Sequence, residues 1–125
     1  MNDSMNDARD TVRRFLQTME ARDLETARSF LAPDFSMEFP GGQRFASLEE
    51  LVQWSATRYR SVRKRYECFD ALADGGAVVV YCCGTLSGVW PEGTAFSGIR
   101  FIDRFVVRDG RLEDQQVWND LAEAR

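Results

Sequence analysis

Residues 99–108, Ile-Arg-Phe-Ile-Asp-Arg-Phe-Val-Val-Arg, alternate with period two. Ile99, Phe101, Asp103, Phe105 and Val107 share one face, and Arg100, Arg104 and Arg108 share the other. A half-buried strand turns its apolar set toward the core. The pattern therefore carries Asp103 inward between two phenylalanines. A carboxylate deprived of water must be paired, hydrogen-bonded or protonated. Any fold built on this strand has to supply that partner, or a pocket in which the acid has work to do.

The remaining segments predict which elements surround it. Val12, Phe15, Leu16 and Met19 form an apolar stripe at helical spacing, on a helix starting near Asp7 or Asp10. Asp23 is an N-cap for a short helix from Leu24 to Leu31, and Pro33-Asp34 reads as a turn. Phe35, Met37 and Phe39 alternate with polar residues in a short strand that Pro40-Gly41-Gly42 ends. Ser47 and Glu50 form a capping box for a third helix carrying Leu48, Leu51, Val52, Trp54, Arg58 and Tyr59. The basic run Arg58, Arg60, Arg63, Lys64, Arg65 reads as a solvated helix face. A strand near Arg65–Leu72 precedes the turn Asp74-Gly75-Gly76. The nearly continuous apolar run Ala77–Leu86 is expected to be covered on both faces. Asp109-Gly110 makes a tight hairpin to a last strand, Leu112–Asn119. Helices first and an antiparallel meander last is the α+β order.

Composition narrows the function classes. At 125 residues the chain is one domain, residues 1–125, with an ordered core over about residues 8–122. Sixteen basic against twenty acidic residues, net charge −4, give no reason to expect nucleic acid. No stretch approaches the ~20 apolar residues of a membrane span. The N-terminus lacks the basic and apolar regions of a signal peptide. Cys82 and Cys83, neighbours in a strand, point to opposite faces and cannot easily bridge each other. The three cysteines therefore read as reduced thiols, and the expected location is the cytoplasm. With no histidine and no Cys-x-x-Cys, no metal site and no cofactor is expected. Acid–base chemistry near neutral pH falls to carboxylates, Tyr, Cys or Lys.

Three stretches carry a resemblance: Met19-Glu20-Ala21-Arg22-Asp23-Leu24, Phe30-Leu31-Ala32-Pro33-Asp34-Phe35-Ser36-Met37, and Phe105–Leu112 with Val117-Trp118-Asn119-Asp120 behind it. With them the chain, from Val12 to Leu121, resembles a nuclear transport factor 2-like domain of the SnoaL-like, polyketide-cyclase type. That resemblance implies a cone, in which a curved mixed or antiparallel sheet wraps three N-terminal helices (the cystatin-like α+β barrel). Such folds host isomerases, cyclases, hydrolases, dehydratases and non-catalytic binders. Matched to ketosteroid isomerases, the oxyanion-hole tyrosine position falls on Phe15, the base position on Phe39, and the protonated acid on Asp103. Two of the three groups are therefore lost. Against limonene-epoxide hydrolases, the middle strand offers only Tyr81, Cys82, Cys83 and Thr85, and the last-strand acid falls on Val117. SnoaL-type cyclases use an inward histidine and aspartate, and this chain has no histidine.

What remains is an expected pocket for a small apolar or carbonyl-bearing ligand. Its walls are Phe15, Met19, Phe35, Met37, Phe39, Trp54 and Phe101, and its polar points are Arg58, Tyr59, Gln115 and Asn119. Asp103 is the candidate acid/base, suited to isomerisation, cyclisation or dehydration. The alternatives are a non-catalytic binding or sensing module and a dimerising interaction domain. Periodicity alone turns Leu112 and Trp118 inward on the last strand. The resemblance instead turns Gln115, Val117 and Asn119 inward and leaves Trp118 on an outer face, expected to pack on a second copy in a homodimer.

Overall fold

The computed structural model describes residues 2–125. Helix α1 spans Asn2–Glu20, five or more residues earlier than the apolar stripe alone requires. Its buried face, Ala8, Val12, Phe15 and Leu16, packs against the inner side of the sheet. Arg22, at φ 60°, turns the chain, and the Asp23 carboxylate accepts from the Thr26 backbone N–H at 3.3 Å to start α2, Leu24–Arg28. This helix stops short of the expected Leu31. Phe30 and Leu31 are recruited by the last strand, whose Leu112 N–H donates to the Phe30 carbonyl at 2.8 Å.

The first strand, β1, runs Leu31–Phe39, straight through the expected Pro33-Asp34 turn. Its pairing with the last strand shifts register between Leu31 and Ser36, around the proline that cannot donate. A short return strand, β2 (Gln43–Arg44), pairs back on β1 and was not anticipated. Helix α3, Leu48–Ser55, begins where the Ser47 hydroxyl accepts from the Glu50 N–H at 3.2 Å. It ends earlier than expected. The Arg58 and Tyr59 N–H groups fold back on the Ser55 carbonyl, so both residues lie just beyond the helix.

Three long strands and a shorter one complete the sheet: β3 (Ser61–Asp74), β4 (Ala77–Val89), β5 (Ala95–Arg108) and β6 (Arg111–Asn119). Among the described residues the sheet has six strands in the order β2-β1-β6-β5-β4-β3. Neighbours are antiparallel except β1 and β6, which are parallel. The sheet is mixed and not closed. The helices lie on its inner face, which holds the core of Val12, Phe15, Val80, Phe105 and Leu112.

Two bulges decide what faces inward. One lies in β3 between Tyr66 and Cys68, opposite Gly84. A Cβ on Gly84 would sit 1.9 Å from the Arg65 carbonyl oxygen, so only glycine lets the bulged backbone close in. The other lies in β6, where Leu112 pairs with Val107 and Asp114 with Val106. The extra residue reverses the phase, so Leu112 is buried and so are Gln115 and Val117. Period two without a bulge would have turned Trp118 inward. Instead it is on the outer face, 49% exposed.

The outer side of β4 is half-buried at Tyr81, Cys83 and Thr85, not covered on both faces as its apolar run implied. The cysteine reading is also corrected. Cys82 is a buried free thiol, but Cys83 pairs in register with Cys68 and is disulfide-bonded to it, with Cα atoms 5.3 Å apart. Considering only the adjacent pair hid a partner one strand away.

Candidate functional site

The basic run is not a helix face. Beyond α3, Arg63 and Arg65 point outward from β3, while Val62, Lys64 and Tyr66 point inward. Lys64 is thereby brought to Asp103. Its Nζ donates to Asp103 Oδ2 at 2.6 Å and lies 4.8 Å from the centre of the Phe101 ring. In the sheet register Lys64 faces Leu86, and Asp103 faces Cys82. The lysine side chain thus crosses the intervening Gly84–Phe101 row to reach the acid.

Asp103 is 0% exposed and the Lys64 side chain 20%. Burial pushes the Asp103 carboxyl up from the ordinary carboxylate range, against the opposing pull of Lys64. For Lys64, burial is the largest single influence and works against the ammonium, but Asp103, Tyr66 and Cys82 together outweigh it and hold the amine above its usual range. The lysine is therefore a fixed cation and not a nucleophilic amine. Burial, with Asp103 beside it, also raises the Cys82 thiol to about 12, which leaves it inert. Tyr66 is raised to about 12, chiefly by burial.

The pair opens on a cavity of about 110 Å³ between the inner sheet face, α1 and α3. Phe15, Met19, Phe39, Trp54 and Phe101 line it, with Arg58, Tyr59, Gln115, Asn119 and Asp103 among the polar groups. Phe35 and Met37 lie elsewhere. Phe35 packs against Phe15 with its ring tilted, 6.4 Å between ring centres, and Met37 is buried in the core. Of the inward residues of β1, only Phe39 at its far end reaches the cavity. There it meets Trp54 edge-on at 5.9 Å. The sequence reading missed Lys64, Val62, Leu51, Ser55 and Leu86 as lining residues. The alternation Val62-Lys64-Tyr66 was the available signal.

Among the described residues, two buried side-chain oxygens have no hydrogen-bond partner: Asp103 Oδ1 and Gln115 Oε1, the latter on a residue 3% exposed. Asn119 is turned to the backbone, its Oδ1 accepting from the Leu121 N–H at 3.1 Å. Unpaired buried acceptors are rare and costly, of order 1–3 kcal/mol each. Both belong to residues that line the cavity.

The sequence profile of the SnoaL-like domain matches residues 12–115. The chain belongs to the SnoaL-like family. Solved structures share this member's fold. A nuclear transport factor 2-like protein of unknown function from Burkholderia pseudomallei K96243 superposes with TM-score 0.74, at 21% identity over 94% of each chain. TerC, co-crystallised with polyporic acid, gives 0.75 at 20% identity, covering 94% of this chain and 95% of its own. A candidate SnoaL-like polyketide cyclase from Jannaschia sp. CCS1 gives 0.70 at 21% identity, over 96% and 90% of the two chains. No protein of curated function matches this SnoaL-like chain. No helix among its described residues is long and apolar enough to cross a membrane.

Proposed function

We propose that this SnoaL-like domain binds a small carbonyl-bearing ligand in its cavity and moves a proton on it, as a cofactor-free isomerase, cyclase or dehydratase. The single observation that carries this is the buried Lys64–Asp103 pair on the cavity lining, with one carboxylate oxygen tied to the ammonium and the other without a partner. In the reaction we envisage, the Lys64 ammonium hydrogen-bonds the ligand carbonyl oxygen and stabilises the enolate that forms there. Asp103 Oδ1 takes the proton from the adjacent carbon and returns it elsewhere. Burial makes Asp103 a stronger base than an exposed carboxylate, and Lys64 favours its ionised form. Phe15, Met19, Phe39, Trp54 and Phe101 exclude water and hold an apolar skeleton. Arg58, Tyr59, Gln115 and Asn119 orient its polar groups. The cyclase description of one structural neighbour and the polyporic acid co-crystallised with another are consistent with such a role, at an identity that supports the fold alone.

Proton exchange tests this directly. With 2-tetralone as probe in heavy water, the protein should speed deuterium entry at the activated carbon, and Lys64→Met and Asp103→Asn should abolish the gain. Binding of the probe without any exchange would sink catalysis and leave the domain a binding module.

The outer sheet face supports a second element of the proposal, a homodimer. Ile102 pairs in register with Trp118 on one side and Cys83 on the other, giving an apolar row across β6, β5 and β4. Ile102 is 38% and Trp118 49% exposed, and a second copy would cover both. The cytoplasmic expectation rested on reduced cysteines, and the Cys68–Cys83 bridge removes that support.

A further inference from the structure

The Lys64–Asp103 pair is internally matched, but the cavity as a whole is not. Its lining carries the cations Arg22, Arg58 and Lys64 against the carboxylates Glu20 and Asp103. Arg22 is engaged, donating from Nη1 to the Met19 carbonyl at 2.6 Å. Arg58 differs. Its guanidinium carbon lies over the Trp54 ring, 4.7 Å from the ring centre. Among the described residues no carboxylate lies within ion-pairing distance of it, and its side chain makes no hydrogen bond. Neighbouring Arg60, by contrast, donates to the Pro91 carbonyl at 2.9 Å. A guanidinium held over a ring without hydrogen-bond partners keeps its N–H donors available, and a carboxylate can take two of them in parallel. Burial has already drawn Arg58 part-way out of water, which strengthens any charge pairing made there.

We infer that the carbonyl-bearing ligand is an anion: a ring-sized, hydroxylated acid whose carboxylate sits on Arg58 over Trp54, whose hydroxyl donates to Gln115 Oε1, and whose reacting carbon is left to Asp103 Oδ1. This rests on the pocket reading above and narrows it to a substrate class. The two ends of the site ask for opposite chemistry. Arg58 offers donors only, and Asp103 Oδ1 and Gln115 Oε1 are acceptors only. A neutral ketone such as 2-tetralone reaches Lys64 and Asp103 but leaves Arg58 and Gln115 Oε1 unsatisfied, so it is a minimal probe and not the full ligand. A hydroxy acid satisfies both and balances the extra positive charge of the lining.

The test compares 6-hydroxy-2-naphthoic acid with its methyl ester by titration calorimetry at low salt. The acid should bind the native protein about tenfold or more tightly, the size of a charge-assisted hydrogen-bonded pair. That ratio should collapse toward one in Arg58→Met and persist in Arg60→Met. Adding salt should shrink it. Equal binding of acid and ester to the native protein would overturn the carboxylate subsite and leave the pocket reading intact. An acid preference that survives Arg58→Met would overturn the assignment to Arg58. Failure of both probes to bind at millimolar concentration would overturn the pocket reading and this inference together.

Discussion

Lys64→Met removes the ammonium from Asp103 while keeping most of the side chain's length and apolar contact with Phe101. Neither carboxylate oxygen then has a partner, and the acid remains 0% exposed. The cheapest response is to take up a proton. In the unfolded chain Asp103 titrates near 3.8. Keeping it protonated in the fold at pH 7 costs ~1.4 kcal/mol for each of roughly three intervening pH units, a ceiling of about 4 kcal/mol. That agrees with the ~3–5 kcal/mol lost when one partner of a buried pair is removed. The site opens on a cavity and Lys64 is 20% exposed, so water relieves part of the cost, and about 2–3 kcal/mol is expected at pH 7. For a domain of this size the melting temperature should fall by roughly 10 °C. The sign with pH is fixed. A folded value raised above the unfolded one favours folding below about pH 4 and disfavours it as pH rises. The variant should therefore approach native stability near pH 4 and fall furthest behind at neutral pH. Urea unfolding from pH 4 to 8 reads this out. Lys64→Met/Asp103→Leu should recover most of the loss, because it leaves no charge behind. A loss independent of pH, or one under about 0.5 kcal/mol, would refute a buried ion pair.

Other outcomes follow from the same structure. Cys82 is raised from 9.0 and Tyr66 from 10.0, each to about 12, and Lys64 is also raised from 10.5. All three hold protons in the fold that the unfolded chain releases, so stability should be full below pH 9 and decline between about 9 and 12. Cys82→Ala and Tyr66→Phe should flatten that decline in thermal scans. Reducing the Cys68–Cys83 bridge, a 15-residue separation, should cost about 3 kcal/mol, and unchanged unfolding in dithiothreitol would show that the bridge contributes nothing. Gly84→Ala should destabilise by ~2 kcal/mol or more, since its methyl meets the Arg65 backbone and not a movable side chain. Trp118→Lys should yield a monomer by light scattering at micromolar concentration. A native protein that is already monomeric there would end the homodimer proposal.

The sequence by itself determined the order of the main elements, though not the short β2, and the inward direction of Asp103. Both rest on local rules: alternation in residues 99–108, the Ser47 and Asp23 caps, the stripe on α1. Periodicity is a property of neighbouring residues, so it survives without knowledge of the rest of the chain. It failed wherever a distant segment intervened. Phe30 and Leu31 left the second helix because β6 offered them a strand. Trp118 faced outward because a bulge at residues 112–114 reset the phase, and no local residue marks that insertion as glycine or proline would. Lys64 was placed on a solvated helix because the end of α3 is set by backbone bonds to Ser55, not by a breaker residue. Only the tertiary structure could bring Lys64 to Asp103, 39 positions later, or Cys68 to Cys83 across a strand pair. Partners like these are chosen by sheet order and register, which depend on the packing of the whole chain.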